Sequence, residues 1–247
     1  MLVIKSKAWV SVLVKPLVFA TVIAFGAGGC NAVGADRPTG AGSQASKGLA
    51  AATPPPGGCE APATGRKDEI GCYLSAAQPL GLLGDGRFFW HIDRFASRSA
   101  AEAARGRRGT VVEAFGRVLL YTITEKEWRP ADGERLATVG PLPHVSGGDY
   151  TARYMEGAFK PGMLTTAHRH SGAEAWYVLE GAQCLETPDG ITMMQAGESA
   201  IVTAGPPMVL SHVGTQTRRS VVLVLHESSK PWITRVHDWV PAGRCPG

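Results

Sequence analysis

The sequence predicts an all-β fold, either a closed barrel or a double-sheet sandwich, formed by one domain. Three observations lead there. From Tyr150 onward, short β-prone runs alternate with turns, at 151–159, 164–170, 175–180, 182–187, 190–194, 199–203 and 220–226. Pro188, Asp189 and Gly190 lie between two of these runs as a hairpin turn. Many short strands at this spacing favour closure, which protects their edges. Upstream, 87–95 is an aromatic-rich strand candidate, and 110–115 and 117–124 are two more, broken at Gly116. The Ala-rich stretch 97–105 predicts one short helix before Gly106 and Gly109. Residues 128–133 read as a turn and 141–148 as a loop. The last twenty residues, with Pro231, Pro241 and Pro246, read as a surface tail pinned by Trp232, Trp239 and Cys245. There is no internal repeat.

Composition divides the chain into three parts. Residues 1–35 combine Lys5, Lys7 and Lys15 with an apolar run at 17–25 and then small residues, the order of a secretory signal. That run is too short to span a bilayer as a mature helix. Two processing routes compete. Ala27-Gly28-Gly29-Cys30 resembles a lipoprotein site, with Cys30 as the lipidation candidate and a lipid anchor as the membrane attachment; a small-residue cut after Ala35 is the other. Either predicts an exported protein, whether periplasmic, extracellular or membrane-anchored. Residues 36–58 are almost all Gly, Ala, Ser, Thr and Pro and read as a disordered linker. Residues 59–247 are the single folded domain, with its core motifs at 150–227.

The formal charge of +4 owes three units to the lysines of the signal segment. What remains carries no basic block interleaved with aromatics, so no nucleic-acid partner is expected. Arg66-Lys67, 105–108 and Arg218-Arg219 read as solvated surface. Beyond Cys30, the cysteines are Cys59, Cys72, Cys184 and Cys245, an even number that permits disulfides in three full pairings. Cys59 with Cys72 is the easiest loop to close.

His168-Arg169-His170 places two imidazoles on one face of a strand, because side chains alternate with a period of two. Glu174 keeps that parity, with Ser171-Gly172 as a bulge or turn between. Imidazole nitrogen and carboxylate oxygen suit Mn, Fe, Co, Ni or Zn; histidines on a turn-flanked strand also occur as plain surface groups. His91 and Asp93 form a second alternating pair that reads as packing and local hydrogen bonding. His226 reads as a structural histidine, and His144 and His237 have no ligand-spaced partner. Met155, Met163, Met193, Met194 and Met208 read as apolar fillers. Trp176 and Tyr177 point to opposite faces, so one of them should line a cavity.

Gly162, five residues, His168-Arg169-His170, three residues, Glu174, six residues and Gly181 resemble the first motif of the cupin superfamily at every fixed position. The second motif is less regular: Gly197, Gly205 and His212 resemble its glycines and ligand histidine, with His212 four residues late after Pro206-Pro207. The resemblance implies a cupin-type jelly-roll β-barrel with extra N-terminal strands and a short helix, 110–124 supplying additional barrel strands. It implies one divalent transition metal, Mn, Fe or Zn, held by His168, His170, Glu174 and His212. It further implies a homodimer formed through an exposed sheet. Cupins include dioxygenases, isomerases and lyases as well as non-catalytic modules. The expected function is a metal-dependent enzyme acting on a small molecule outside the cytoplasm; a small-molecule binding or sensing module is the alternative. Beyond the metal ligands no catalytic residue stands out, and there is no Gly-x-Ser-x-Gly elbow.

Overall fold

The computed structural model describes residues 4–6, 55–56, 58–64 and 66–246. The candidate lipidation residue Cys30, both candidate cleavage sites and nearly all of the linker lie outside the described residues.

The chain order is β1 (Ile4–Ser6), β2 (Gly71–Leu82), β3 (Phe89–Phe95), α1 (Arg98–Ala104), β4 (Gly109–Ala114), β5 (Arg117–Thr124), β6 (Glu134–Val139) and β7 (Asp149–Phe159). It continues with β8 (His168–His170), β9 (Ala173–Glu180), β10 (Ala182–Thr187), β11 (Gly190–Gln195), β12 (Ser199–Val202), β13 (Val209–Val213), β14 (Arg218–Glu227) and β15 (Ile233–Arg235). The predicted helix forms: Ser97 caps it by accepting from the Ala100 N–H at 3.2 Å, and Ala101 packs with Phe95 and Leu120. The hairpin at Pro188-Asp189 also forms, joining β10 to β11 with Thr187 opposite Gly190.

Three layers result. The central one is a six-stranded sheet in the order β1-β12-β9-β14-β7-β2. One of its faces closes against a smaller assembly, the β11-β10-β13 sheet and the β15-β8 pair, which are stitched together by bridges from Leu164 to Ser211 and His168 to Met208. This is the jelly-roll barrel, filled by Met155, Met163, Trp176, Met194, Met208 and Val222 among others. Met193, read as a filler, lies outside that cluster.

The other face of the central sheet is covered by a four-stranded sheet, β4-β5-β3-β6. Here the structure corrects the reading of 110–124. Those strands form a separate layer rather than joining the barrel, and Trp90, Leu119, Tyr121 and Ile123 pack against Tyr154, Ala175, Val221 and Leu223 of the central sheet. Burial on both faces explains the unbroken apolar run 221–225 in β14. It also means that the outer sheet face expected to pair with a second copy is occupied by the chain itself.

The edges of the central sheet hold its least obvious strands. β2 carries Pro79 and two register shifts, Pro79 lying beyond Cys72–Leu74, the part of its outer edge that Pro56–Ala63 covers through a parallel bridge and backbone hydrogen bonds. β1, from within the segment read as a signal, pairs with β12. Both disulfides form, Cys59 with Cys72 and Cys184 with Cys245, at Cα separations of 4.4 and 5.7 Å. The second ties the C-terminal tail to β10, reinforced by Arg244 on Glu186. Among the described residues no helix is long and apolar enough to cross a membrane.

Candidate metal centre and its cavity

His168 and His170 both face inward from β8, and Glu174 faces inward from β9, so three potential ligand atoms fall within 4.8 Å of one another. All three side chains are buried. The turn at Ser171-Gly172 carries the chain from the smaller assembly to the central sheet. That crossing lets the histidines and the carboxylate approach one point from two walls.

The tautomers are set by neighbouring carbonyls. His168 Nδ1 donates to the Thr166 carbonyl at 2.8 Å, and His170 Nδ1 donates to the Trp232 carbonyl at 2.7 Å. In its neutral form each ring therefore presents Nε2 as an acceptor toward the same point. His170 Nε2 lies 3.1 Å from Glu174 Oε2, yet both atoms are buried without a hydrogen-bond partner. Two acceptors at that separation repel unless a proton or a cation lies between them. Burial pushes His168 below its ordinary pKa, only partly offset by Glu174. Burial also acts to lower His170, but the Glu174 carboxylate and the Trp232 carbonyl outweigh it and raise that histidine. The donor set, two imidazoles of fixed tautomer and one carboxylate, fits a divalent transition metal.

His212 does not join this group. It is buried in β13, opposite Gln183, with its Nε2 2.6 Å from the Gln216 carbonyl. The residue facing the metal candidates from that direction is Met208. His168 and Met208 exchange both backbone hydrogen bonds, at 3.1 and 2.8 Å, which places their side chains side by side on one face. Met208 is buried and lines the same cavity as the triad. It follows Gly205 by three residues, the interval at which the second cupin motif sets its histidine. The spacing carries this signal, although the residue at it is a methionine rather than an imidazole.

A cavity of about 490 Å³ opens on the triad, within the range of small-molecule sites. Its walls are largely apolar, with Met155, Phe159, Trp176, Leu210 and Val222. Trp176 is the member of its pair that lines the cavity, while Tyr177 packs toward the outer layer. The cavity also reaches Arg218. The expectation that Arg218-Arg219 is solvated surface fails for Arg218, which is 1% exposed. Arg218, Ser220, Val222 and Val224 share one strand parity, so extending the 220–226 strand by two residues would have placed this arginine inside.

The remaining candidates lie elsewhere. His91 and Asp93 are buried in the four-stranded sheet, where Asp93 pairs with Arg135 at 2.6 Å and His91 Nε2 meets the Glu125 carbonyl at 2.8 Å. His144 holds the loop after β6 through the Gly84 and Leu142 carbonyls. His226 is buried with Nδ1 on the Glu227 carbonyl and is not one of the cavity-lining residues.

No protein-family model matches the chain, and no curated protein matches it. Among solved structures, it overlaps a cupin 2 domain-containing protein from Halorhodospira halophila at 17% identity and a TM-score of 0.31, covering 36% of this chain and 59% of that one. It overlaps a salicylate 1,2-dioxygenase from Pseudoaminobacter salicylatoxidans at 18% identity and a TM-score of 0.27, covering 30% of this chain and 19% of the other. For a cupin superfamily protein from Desulfitobacterium hafniense DCB-2 the values are 13%, 0.29, 34% and 73%. The chain thus spans about three fifths of the first of these and about a fifth of the second. The strand order and the closed pair of sheets make the described part of this chain a jelly-roll β-barrel that carries an additional four-stranded layer, and the run from Gly162 to Gly181 resembles the first cupin motif.

Proposed function

We propose that this protein is a metal-dependent enzyme acting outside the cytoplasm on a small molecule held in the barrel cavity, with His168, His170 and Glu174 as the metal ligands. The observation that carries this reading is the convergence of His168, His170 and Glu174 in one buried site, with potential ligand atoms from all three within 4.8 Å of one another. A divalent cation bound there supplies Lewis-acid polarisation of a substrate oxygen or lowers the pKa of a coordinated water. The chain's own contribution is positional. The Thr166 and Trp232 carbonyls keep both imidazoles from rotating, and Trp232 stacks on His170 at 5.6 Å with 22° between the rings. Trp176 Nε1, buried without an acceptor, offers a donor to a substrate oxygen, and the apolar walls exclude bulk water. His212, whose ring is engaged with Gln216, is left out of the proposed shell, with Met208 beside His168 instead.

The two disulfides support an exported protein, since such bonds persist in oxidising compartments. Processing at Cys30 or after Ala35 belongs to the same proposal. Intact-mass analysis of the native product should show the cut, a diacylglyceryl mass on Cys30 deciding for the lipid anchor. Recovery of the native product with Met1 retained would count against export.

The metal test is elemental analysis of protein isolated without chelator. About one equivalent of a transition metal is expected, with His168→Ala or His170→Ala reducing it. Wild-type protein that stays metal-free after reconstitution with Mn, Fe, Co, Ni, Cu and Zn would overturn the reading. A binding or sensing module is the second reading, favoured by the lack of any buried histidine or carboxylate beyond the triad among the cavity-lining residues. An oxygen-uptake and small-metabolite turnover screen on metallated protein separates the two.

A further inference from the structure

Arg218 is a fully buried cation that no carboxylate among the described residues neutralises. Its neighbour Arg219 reaches the Glu180 carboxylate at 2.6 Å and Asp68 at 3.3 Å. Arg218 has no carboxylate partner among the described residues. Its Nη1 is held by the Ser220 hydroxyl and, at 3.4 Å, by the Gly157 carbonyl, and its guanidinium lies over the Phe159 ring at 3.9 Å. Its Nε and Nη2 are buried without any acceptor. Those two N–H groups share one edge of the guanidinium, the fork that receives the two oxygens of a carboxylate. Burial pushes this arginine down to about 9, which still leaves it protonated at neutral pH. An unpaired buried charge is costly and asks for an anion.

The position of Arg218 suggests what that anion belongs to. On β14 the inward row runs Arg218, Ser220, Val222, Val224, and Val222 and Val224 stand opposite Trp176 and Glu174. The guanidinium and Glu174 therefore lie on one wall of a cavity that His168 and His170 line from the other. Between the level of Ser220, which holds Nη1, and that of Glu174 are four residues of strand, about 13 Å. The wall along that interval is apolar, formed by Met155, Trp176 and Val222. A Cβ at Gly157 would come within 3.1 Å of Nη1, so the glycine keeps the space in which the guanidinium sits.

We infer that the cavity takes an elongated organic acid whose carboxylate is received by Arg218, whose body is apolar, and whose far end reaches the His168–His170–Glu174 group. This names the substrate class for the proposed enzyme and rests on that reading only for the role of the far end. Binding of the carboxylate itself requires no metal.

The experiment is calorimetric titration of chelator-treated protein with hexanoate, octanoate and decanoate, and with octanamide, octanol and octyl phosphate as controls. Octanoate should bind at least about tenfold more tightly than octanamide or octanol, in keeping with a charge-assisted bidentate pair. Arg218→Met should abolish that preference. Because it removes an uncompensated charge, it should also raise the unfolding midpoint of the ligand-free protein. Arg218→Lys should retain a weaker preference for the acid. No acid binding, equal binding of acid and amide, or tighter binding of octyl phosphate would overturn the assignment. So would an Arg218→Met protein that folds and binds octanoate as the wild type does. Metal content is measured on the same samples: acid binding without metal uptake defeats only the metalloenzyme reading, and metal uptake without acid binding defeats only this one.

Discussion

Gly172 sits between the two histidines and the carboxylate, and adding a single methyl group there should damage the site more than its size suggests. A Cβ at this position would lie 1.9 Å from the Leu225 carbonyl oxygen and 2.6 Å from the His226 Cα. Contacts of that kind do not occur below 3.0 Å, so a displacement of at least about 1 Å is required. β14 cannot supply it, because it is hydrogen-bonded on both sides, to β7 and β9, and buried on both faces. The movement falls on Ser171 to Glu174, where Ala173 stands opposite Leu225. Ligand sets tolerate about 0.5 Å before their geometry degrades. Gly172→Ala should therefore lose about 2–4 kcal/mol in denaturant unfolding and weaken metal binding about 10- to 100-fold in a competition titration. Ser171→Ala, which removes a buried hydroxyl without a partner, serves as the control and should change neither. A Gly172→Ala protein with wild-type unfolding and metal affinity would refute the reasoning, showing that the turn relaxes without moving His170 relative to Glu174.

Three further outcomes follow from the geometry. His212→Ala should leave metal affinity unchanged, whereas Met208→His should tighten it by placing an imidazole beside His168; competition with a chromogenic chelator reads both, and a large loss in His212→Ala would return His212 to the shell. Glu156 is buried between the layers, where desolvation and the nearby Glu69 raise its pKa to about 7, the Ser75 hydroxyl only partly offsetting them. The unfolded chain releases this proton near pH 4.5 and the folded one near 7, so wild-type stability should fall across that window as pH rises. Glu156→Gln should flatten the fall and exceed wild type at pH 8 by about 2 kcal/mol after allowance for solvent screening, while a wild-type curve that is level from pH 4.5 to 7 would contradict this. Replacing Cys184 and Cys245 together by serine should cost about 2–4 kcal/mol in denaturant unfolding and open the tail to limited proteolysis, with unchanged stability and protection counting against the tether.

The triad is legible because its signal is local: a period of two on a strand, then a turn, then a carboxylate of the same parity. His212 and Met208 show where that kind of reading stops. An imidazole stands in the sequence at His212, but β13 takes its register from backbone pairing with β10, and Met208, just before β13, bridges to His168 and puts a thioether beside it. β2 is hidden in the sequence because its run of Gly, Ala and Pro has no β-branched residue, and it is held by backbone bonds to β7 and, over Cys72–Leu74, to the segment before it. The strands at 89–95 and 117–124 were visible as strands. Which sheet they enter depends on the apolar contacts of Trp90 and Tyr121 with the central layer, and no local pattern encodes that. Arg218 reads as surface beside Arg219 because a lone arginine at a strand end is ordinarily solvated; its burial follows from where β14 begins.

The four-stranded layer has a consequence for how the barrel behaves on dilution. An apolar sheet face that relied on another molecule for its cover would be exposed whenever the partner left, and the integrity of β7, β9 and β14 would track protein concentration. Here the cover is covalently continuous with what it covers. The effective concentration of this covering layer is therefore set by the chain itself and does not vary with protein concentration.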